Sequence, residues 1–471
     1  MPSTPPLAPI TVRGFGAVGD GAADDTAAVQ AAIDAAASVG GGRVIVDGGG
    51  RYRCGSIELK TGVELHLEGG SRLVAATTVD EFSRTVVVGA LNSGVGTTNA
   101  LTNGLFLWAE NARDIAVTGT GVIDGSAGAY VIASGDEIYE MDKRRPFPLF
   151  FIGCSDVVLR DVRFEDAALW TVRLSGCDGV LIDGIVIRND MRVPNADGID
   201  LDHCKRVRVV GCDIITPDDG VSLKTTDEFL RYGGVEDIVI TGCTVQSRST
   251  AITVGVDTDA PLRNIVVSDC VIRDSHRGVS VSVGTGTNGY VENVLFANLV
   301  IETRHTSTDW WGCGEPIVVR SAPWHDEAGA IRRVRFSNIL ARGENGVLIH
   351  ATDPGSVHDV LLSDVRIELA RWTAYPGGRQ DLRPLDHAAP FPGEAGTNGL
   401  RAITPPGILI ENADDVRLRD VEVAWGDAPA GEYGAALDIR GSRDISWSGF
   451  RGPAFDGGAA ILVDGLAASV A

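Results

Sequence analysis

The sequence predicts an all-β chain: a single-domain, right-handed parallel β-helix with an N-terminal capping helix. Three observations predict it. A short two-strand unit recurs along most of the 471 residues. The gaps between copies leave no room for helices, which a βαβ sheet would require. Glycine is frequent, 59 of 471 against a usual ~7%, as a chain of many tight turns needs.

The unit is a turn residue, three or four β-formers, a small or polar pair, then more β-formers. Copies begin at Ile115, Val157, Val180, Val207, Ile238, Ile265, Val294, Val334, Val360, Val416 and Ile445. Most gaps lie between 23 and 31 residues; those of 40, 42 and 56 read as insertions or unaligned coils. One unit cannot bury its apolar side chains alone, so the units must stack. Propeller blades of ~40–50 residues are too long for this spacing. Five residues into successive copies stand Cys212, Cys243, Cys270, Leu299, Ile339, Val365 and Val421. Cysteine interchanging with Leu, Ile and Val marks an interior ladder of small hydrophobes. The eight cysteines form no CxxC and no zinc spacing, so neither a metal site nor a disulfide scaffold is expected.

About 1–50 reads as a cap region, about 51–450 as stacked coils with loop insertions, and about 451–471 as a C-terminal cap. In the first cap, Asp24-Asp25 precede an Ala-rich run with Val29 and Ile33 four apart, and Gly40-Gly41-Gly42 follow it. That is an N-capped helix with a glycine stop, placed to plug the open end of the core.

The formal charge of −22 repels phosphate backbones and anionic lipid, so nucleic acid and membrane are poor partners. Hydrophobic residues at 44% exclude global disorder. No apolar run reaches the ~18 residues of a membrane span. The amino terminus shows no signal peptide, so the expectation is a cytoplasmic protein, or a secreted one whose leader has been removed. Gly284 to Gly289 matches GxGxxG, but a strand rather than a helix follows, so the dinucleotide-binding context fails. No cofactor is expected, and the oligomeric state is open.

The chemistry concentrates in Asn195-Ala196-Asp197-Gly198-Ile199-Asp200-Leu201-Asp202 and Asp218-Asp219-Gly220-Val221-Ser222-Leu223-Lys224. Asp197 and Asp219 are 22 residues apart, one coil, so stacking places them on neighbouring rungs with Asp218 beside them. Three crowded carboxylates raise at least one pKa, which supplies the acid and base that glycoside hydrolysis needs. The bland alternative is that these residues cap turns between coils. Asp200 and Asp202 alternate with inward Ile199 and Leu201, so they read as outward, either supporting the site residues or merely solvated, with solvation the favoured reading. Asp202 shares a column with Lys224, and an ion pair between them is plausible.

These motifs resemble those of the polygalacturonase family, glycoside hydrolase family 28, of which the chain reads as a divergent member. The family's Asn-Thr-Asp-Gly is similar to residues 195–198, and its Asp-Asp-x-x-x-x-Lys to residues 218–224. The N-terminal cap, Gly119 to Gly125, Trp170-Thr171 and Asp309 to Pro316 extend the resemblance. It implies an inverting hydrolase in which Asp218 protonates the glycosidic oxygen while Asp197 and Asp219 orient and deprotonate water. Departures accompany it. The family's Gly-His-Gly histidine falls on Thr250, and its Arg-Ile-Lys falls on Ser280-Val281-Ser282, so two cations that bind a galacturonate carboxylate are lost. Arg277, in the column of Asp197, Asp219 and Thr250, reads as a replacement cation, a partner of Asp219, or a surface residue. Asp309, Trp310, Trp311 and Glu315 lie in an insertion and read as sugar-contacting residues or as a loop anchor. Arg144 and Arg145 read as lining the same groove, or as merely exposed.

The leading functional expectation is a glycoside hydrolase acting on plant cell-wall, pectin-related oligosaccharides. Exo action is expected from insertions at 79–104 and 371–400 that close one end of the groove. A polysaccharide lyase or epimerase on the same scaffold is the first alternative, which the lost cations oppose. A non-catalytic carbohydrate-binding β-helix is the second.

Overall fold

The computed structural model describes residues 9–88, 101–135, 137–284, 289–308, 310–323, 329–382 and 400–468. Asp309, residues 285–288 of the GxGxxG match, and residues 89–100 and 383–399 of the two insertions expected to close the groove lie outside them. The architecture is a right-handed parallel β-helix. Its described strands form one sheet of 23 strands and one of 15, with two small hairpins. Among the described residues, no helix is long and apolar enough to cross a membrane.

The repeat register is literal. Ile115, Val157, Val180, Val207, Ile238, Ile265, Val294, Val334, Val360 and Val416 each pair with the next in parallel. The wide gaps are therefore insertions, with no coil missed inside them. Earlier rungs escaped the sequence pattern. Val63–Leu67 pairs with Arg113–Gly119 and with Gly42–Val46, which pairs with Ile10–Thr11. The ladder thus reaches into the region read as cap.

What sets the register is the turn residue before each copy. Asp114, Asp156, Asp237, Asn264, Asn293, Asp359, Asp415 and Asp444 have φ between 47° and 61°. Asp and Asn tolerate that left-handed conformation better than other side chains. Several also bond up the stack: Asn264 Nδ2 donates to Asp237 Oδ1 at 3.0 Å and Asn293 Nδ2 to Asn264 Oδ1 at 3.1 Å. A parallel ladder runs through Asp269, Asn298 and Asn338 (3.0 and 2.8 Å). The turns are thus pinned locally while the strands between them pair along the stack.

Between the sheets lies one continuous core. The seven positions five residues into the copies, Cys212 to Val421, are at most 1% exposed. All eight cysteines are free and buried, as packing as small hydrophobes requires. The 15-stranded sheet turns Leu174, Leu201, Leu223, Val254, Val281 and Val319 inward in one column. Its outward side chains form the candidate site.

The capping helix spans Thr26–Ser38 and buries Val29, Ala32, Ile33 and Ala36. Its first turn is capped by Asp24, whose Oδ1 accepts from Thr26 N at 3.0 Å. Asp25 instead bonds Val18 N and Gly19 N at 2.6 and 3.0 Å, tying the preceding loop down. Glycines 40–42, all at positive φ, end the helix.

Candidate active site

Register builds the site. Ile199 pairs with Val221, Val221 with Ile252, Thr250 with Arg277 and Val279 with Ile317. Two residues before these strands' first inward positions stand Asp197, Asp219, Thr250, Arg277 and Glu315, one above another. Backbone bonds close the column: Gly198 N to Asp219 O at 2.8 Å, Gly220 N to Thr250 O at 2.9 Å, Gly278 N to Glu315 O at 2.9 Å. The glycine after each aspartate has a steric cause. A Cβ on Gly198 would lie 2.3 Å from Gly220 O, and one on Gly220 2.4 Å from Ala251 O. Only glycine lets the coils approach this closely behind the carboxylates.

Asp197, Asp218 and Asp219 each offer an oxygen, and these oxygens lie within 4.8 Å of one another. Their environments differ. Asp218 is buried and accepts only two backbone N–H groups, Asp219 N at 3.0 Å and Asn195 N at 3.3 Å. Burial, then the charges of Asp197 and Asp219, push its pKa well above the usual carboxylate range. Asp197 is pushed up to about 6 by burial, with Lys224 pulling it down and Asp219 raising it. Its Oδ2 accepts from Lys224 Nζ at 3.2 Å, while its buried Oδ1 has no protein partner. Asp219 is only partly buried, and its Oδ1 accepts from Ser249 Oγ at 2.9 Å and Thr250 N at 3.2 Å. The result is one carboxyl, Asp218, whose ionised form is disfavoured by burial and by two neighbouring carboxylates. A hard cation would want all three ionised, which burial of Asp197 and Asp218 opposes.

Asp200 and Asp202 depart from the expectation of outward, solvated side chains: both are 0% exposed. They do point out of the coil, but loops roof that face of the sheet. Asp202 does pair in register with Lys224, yet the ion pairs go elsewhere. Lys224 Nζ lies 2.9 Å from Asp200 and 3.2 Å from Asp197, and 3.7 Å from the Trp170 ring centroid. Asp202 is held by Arg173 (3.2 Å), Ser175 Oγ (3.0 Å) and Thr226 N and Oγ1 (3.1 and 2.9 Å). Arg173 is itself boxed by Trp170, Phe150, Phe229 and Phe147, its guanidinium 4.6–5.6 Å from the ring centroids. This cation–π box fixes the side of the site on which Lys224 stands.

Arg277 is neither a surface residue nor a partner of Asp219. It is 3% exposed and donates to Asp381 Oδ2 at 2.9 Å, with Glu315 Oε2 3.7 Å away. Glu315 is fully buried and also accepts from Cys313 N at 2.7 Å, so it anchors the insertion instead of facing a groove. Trp310 and Trp311 are partly buried on the same loop, which Gly312 N ties to Asp381 at 2.8 Å. Arg144 is half-exposed and 3.6 Å from Asp80. Arg145 is buried and donates to Ala168 O at 3.0 Å and Pro194 O at 2.7 Å, clamping the turn that carries Asn195. Sequence reasoning missed Asp381 and Arg173. Arg173 had a signal, two residues before Ser175 in the column of Asp200; Asp381 had none, because its partner is 104 residues away.

Comparison with known proteins supplies the family. The profile described as "Glycosyl hydrolases family 28" matches residues 66–307, just over half of the chain. A probable polygalacturonase of Vitis vinifera is 26% identical over 298 residues, 61% of this chain and 60% of the grape protein. The match therefore spans less than two thirds of that relative. Among solved structures, a hyperthermoactive exopolygalacturonase from Thermotoga maritima aligns at TM-score 0.65 with 24% identity, over 78% of this chain and 88% of that one. A family 28 exopolygalacturonase of Yersinia enterocolitica aligns at TM-score 0.70 with 17% identity, over 93% and 78%. At these identities the two structures speak for the fold.

Proposed function

The chain belongs to glycosyl hydrolases family 28, and from that premise we propose that it hydrolyses pectin-related plant cell-wall oligosaccharides by inversion, from the chain end. One observation carries the reading: buried Asp218 offers an oxygen within 4.8 Å of oxygens of Asp197 and Asp219 on adjacent rungs. Asp218 donates its proton to the glycosidic oxygen. The partnerless Oδ1 of Asp197 and the outer oxygen of Asp219 hold and deprotonate the attacking water. Lys224 keeps Asp197 ionised and Asn195 N orients Asp218. Ser249 and Thr250 orient Asp219 where the family places a histidine one coil on.

Exo action is supported by the shape of the site. Asp197, Asp218, Lys224, Thr250 and Arg277 are all buried, with Asp219 the most open of them. So closed a site suits one chain end better than a polymer passing through. Trp310 and Trp311, both partly buried, are the residues assigned here to pack on a sugar ring.

A retaining route is the second reading, favoured by the short oxygen separation, since retaining pairs sit ~5–5.5 Å apart and inverting pairs ~6.5–9.5 Å. Here the 4.8 Å is a closest approach of oxygens, and two carboxylates share the water instead of one. The test is a panel of plant-wall oligosaccharides with the product anomer read by NMR. Inversion with stepwise loss of end residues supports the proposal. Retention overturns the mechanism, random internal cleavage overturns exo action, and an unsaturated, ultraviolet-absorbing product replaces hydrolysis by elimination.

A further inference from the structure

Three separate stretches of chain converge on Arg248, which is buried. Its Nη1 donates to Glu137 O and, at 3.1 Å, to Met191 O; its Nη2 donates to Thr306 O at 3.1 Å. These acceptors lie 111, 57 and 58 residues away. Glu137 belongs to the connection into Phe147–Ile152, Met191 to the turn before Ile199–Asp202, and Thr306 to the insertion before Ile317–Ser321. Thr306 returns a bond, its Oγ1 donating to Arg248 O at 3.3 Å. The Glu137 carboxylate stands 3.4 Å from the guanidinium and accepts from Ser307 Oγ at 2.5 Å, which joins two of the stretches directly. Three carbonyls arriving from different directions suit a planar cation with five fixed donors.

The backbone around Arg248 carries two of the acids. Ser247 Oγ donates to Asp218 O at 2.7 Å and accepts from Ser249 N at 2.9 Å. Arg248 N donates to Thr216 O at 3.1 Å, just ahead of Asp218. Ser249 Oγ and Thr250 N hold Asp219 Oδ1 at 2.9 and 3.2 Å. The run from Ser247 to Thr250 thus grips Asp218 by its main chain and Asp219 by its carboxylate. Met191 supplies a second route. Its turn leads to Asn195, whose N–H donates to Asp218 Oδ2 at 3.3 Å. An arginine that only fastened loops could stand anywhere along the stack. This one stands between the serines that bond the acids, so a shift of the loops reaches Asp218 and Asp219 through a single residue.

We propose that Arg248 is a positioning residue: it fastens three loops to the run Ser247 to Thr250 and through that run sets the orientation of Asp218 and Asp219. This deepens the hydrolase reading and rests on it for the reaction that the orientation serves.

The test uses the full chain, the variants Arg248→Met and Arg248→Lys, and two readouts. Amide hydrogen exchange, read by mass spectrometry, follows the peptides that hold Asn195, Asp219 and Thr250, whose N–H groups bond the two carboxylates. Arg248→Met is expected to speed exchange there by about tenfold or more as local opening becomes easier, with the 23-stranded sheet unchanged. On a plant-wall oligosaccharide that the wild type cleaves, kcat falls by about 10–100-fold, the effect of a small misplacement at the reacting groups, and KM moves by less than about threefold. Arg248→Lys keeps the charge and reaches fewer carbonyls, so it recovers part of both. Should the Met variant not fold, the Lys variant carries the test against the wild type. Unchanged exchange at the three amides overturns the proposal. So does faster exchange spread evenly over the chain, the mark of a merely structural tie, and so does a loss carried by KM at constant kcat. A wild type that cleaves nothing on the panel overturns the hydrolase reading alone, and the exchange result then decides whether Arg248 orients the carboxylates.

Discussion

Lys224→Met is the substitution that asks most of this site. The ammonium is buried and lies 3.2 Å from Asp197 Oδ2. At that distance and an effective dielectric of about 20, the attraction is about 5 kcal/mol. A pKa unit corresponds to ~1.4 kcal/mol, so even if relaxation absorbs two thirds of the attraction, the Asp197 pKa climbs by about one unit. It starts at about 6. In the proposed mechanism Asp197 is a base, so the rate of the natural enzyme is expected to fall as pH drops below about 6, and in the variant that acidic limb is expected to move to about 7 or above. Stability follows the same sign. Asp197 binds its proton more tightly folded than unfolded, where its value is 3.8, so its ionised form costs stability that appears as pH rises from about 4 through 6. Removing Lys224 enlarges that cost, a loss of about 3–5 kcal/mol at pH 7 that shrinks toward pH 5. The assays are the pH dependence of kcat/KM and urea unfolding at pH 5 and 7. An acidic limb that stays near 6, or moves down, refutes the assignment of Lys224 as the cation that holds Asp197 ionised.

Other outcomes follow from the same geometry. Asp218→Asn lowers kcat by about 10²–10⁴-fold with an unchanged circular dichroism spectrum and thermal midpoint within a few degrees. Gly220→Ala forces a Cβ against Ala251 O and the Val245 side chain and destabilises by about 1–3 kcal/mol, measured by urea unfolding. Iodoacetamide leaves all eight thiols of the native chain unlabelled by mass spectrometry, since every one is buried, and labels them in denaturant.

The coil register was legible because turn chemistry repeats. An Asp or Asn at positive φ precedes most copies, and that requirement writes itself into the sequence at fixed distance from the first β residue. The first rungs, Ile10–Thr11 and Gly42–Val46, lack that signature and were not seen. The column through Asp197 and Asp219 was legible for the same reason, as an offset of one coil. Asp200 and Asp202 were misread because alternation tells which way a side chain leaves the strand, not what waits there; Phe229, Trp170 and Arg173 close over them. Two readings of Arg277, as a surface residue and as a partner of Asp219, failed because its partner Asp381 arrives on an insertion, by a path that no local pattern encodes. Asp24 and Asp25 divide the work at the helix start: Asp24 accepts from Thr26 N while Asp25 holds the preceding loop, a division that composition does not carry.

The detours of 40, 42 and 56 residues all rejoin the stack without shifting it by a single position. A chain of this kind keeps two accounts separate: what makes it stand and what makes it selective. Asp381, on the longest insertion, meets Arg277 and Arg320 of the stack, and its neighbour Leu382 packs on Val318 and Leu348. Exchanging that hairpin for another would change the partners of two buried arginines while the rung-to-rung register beneath it stays the same.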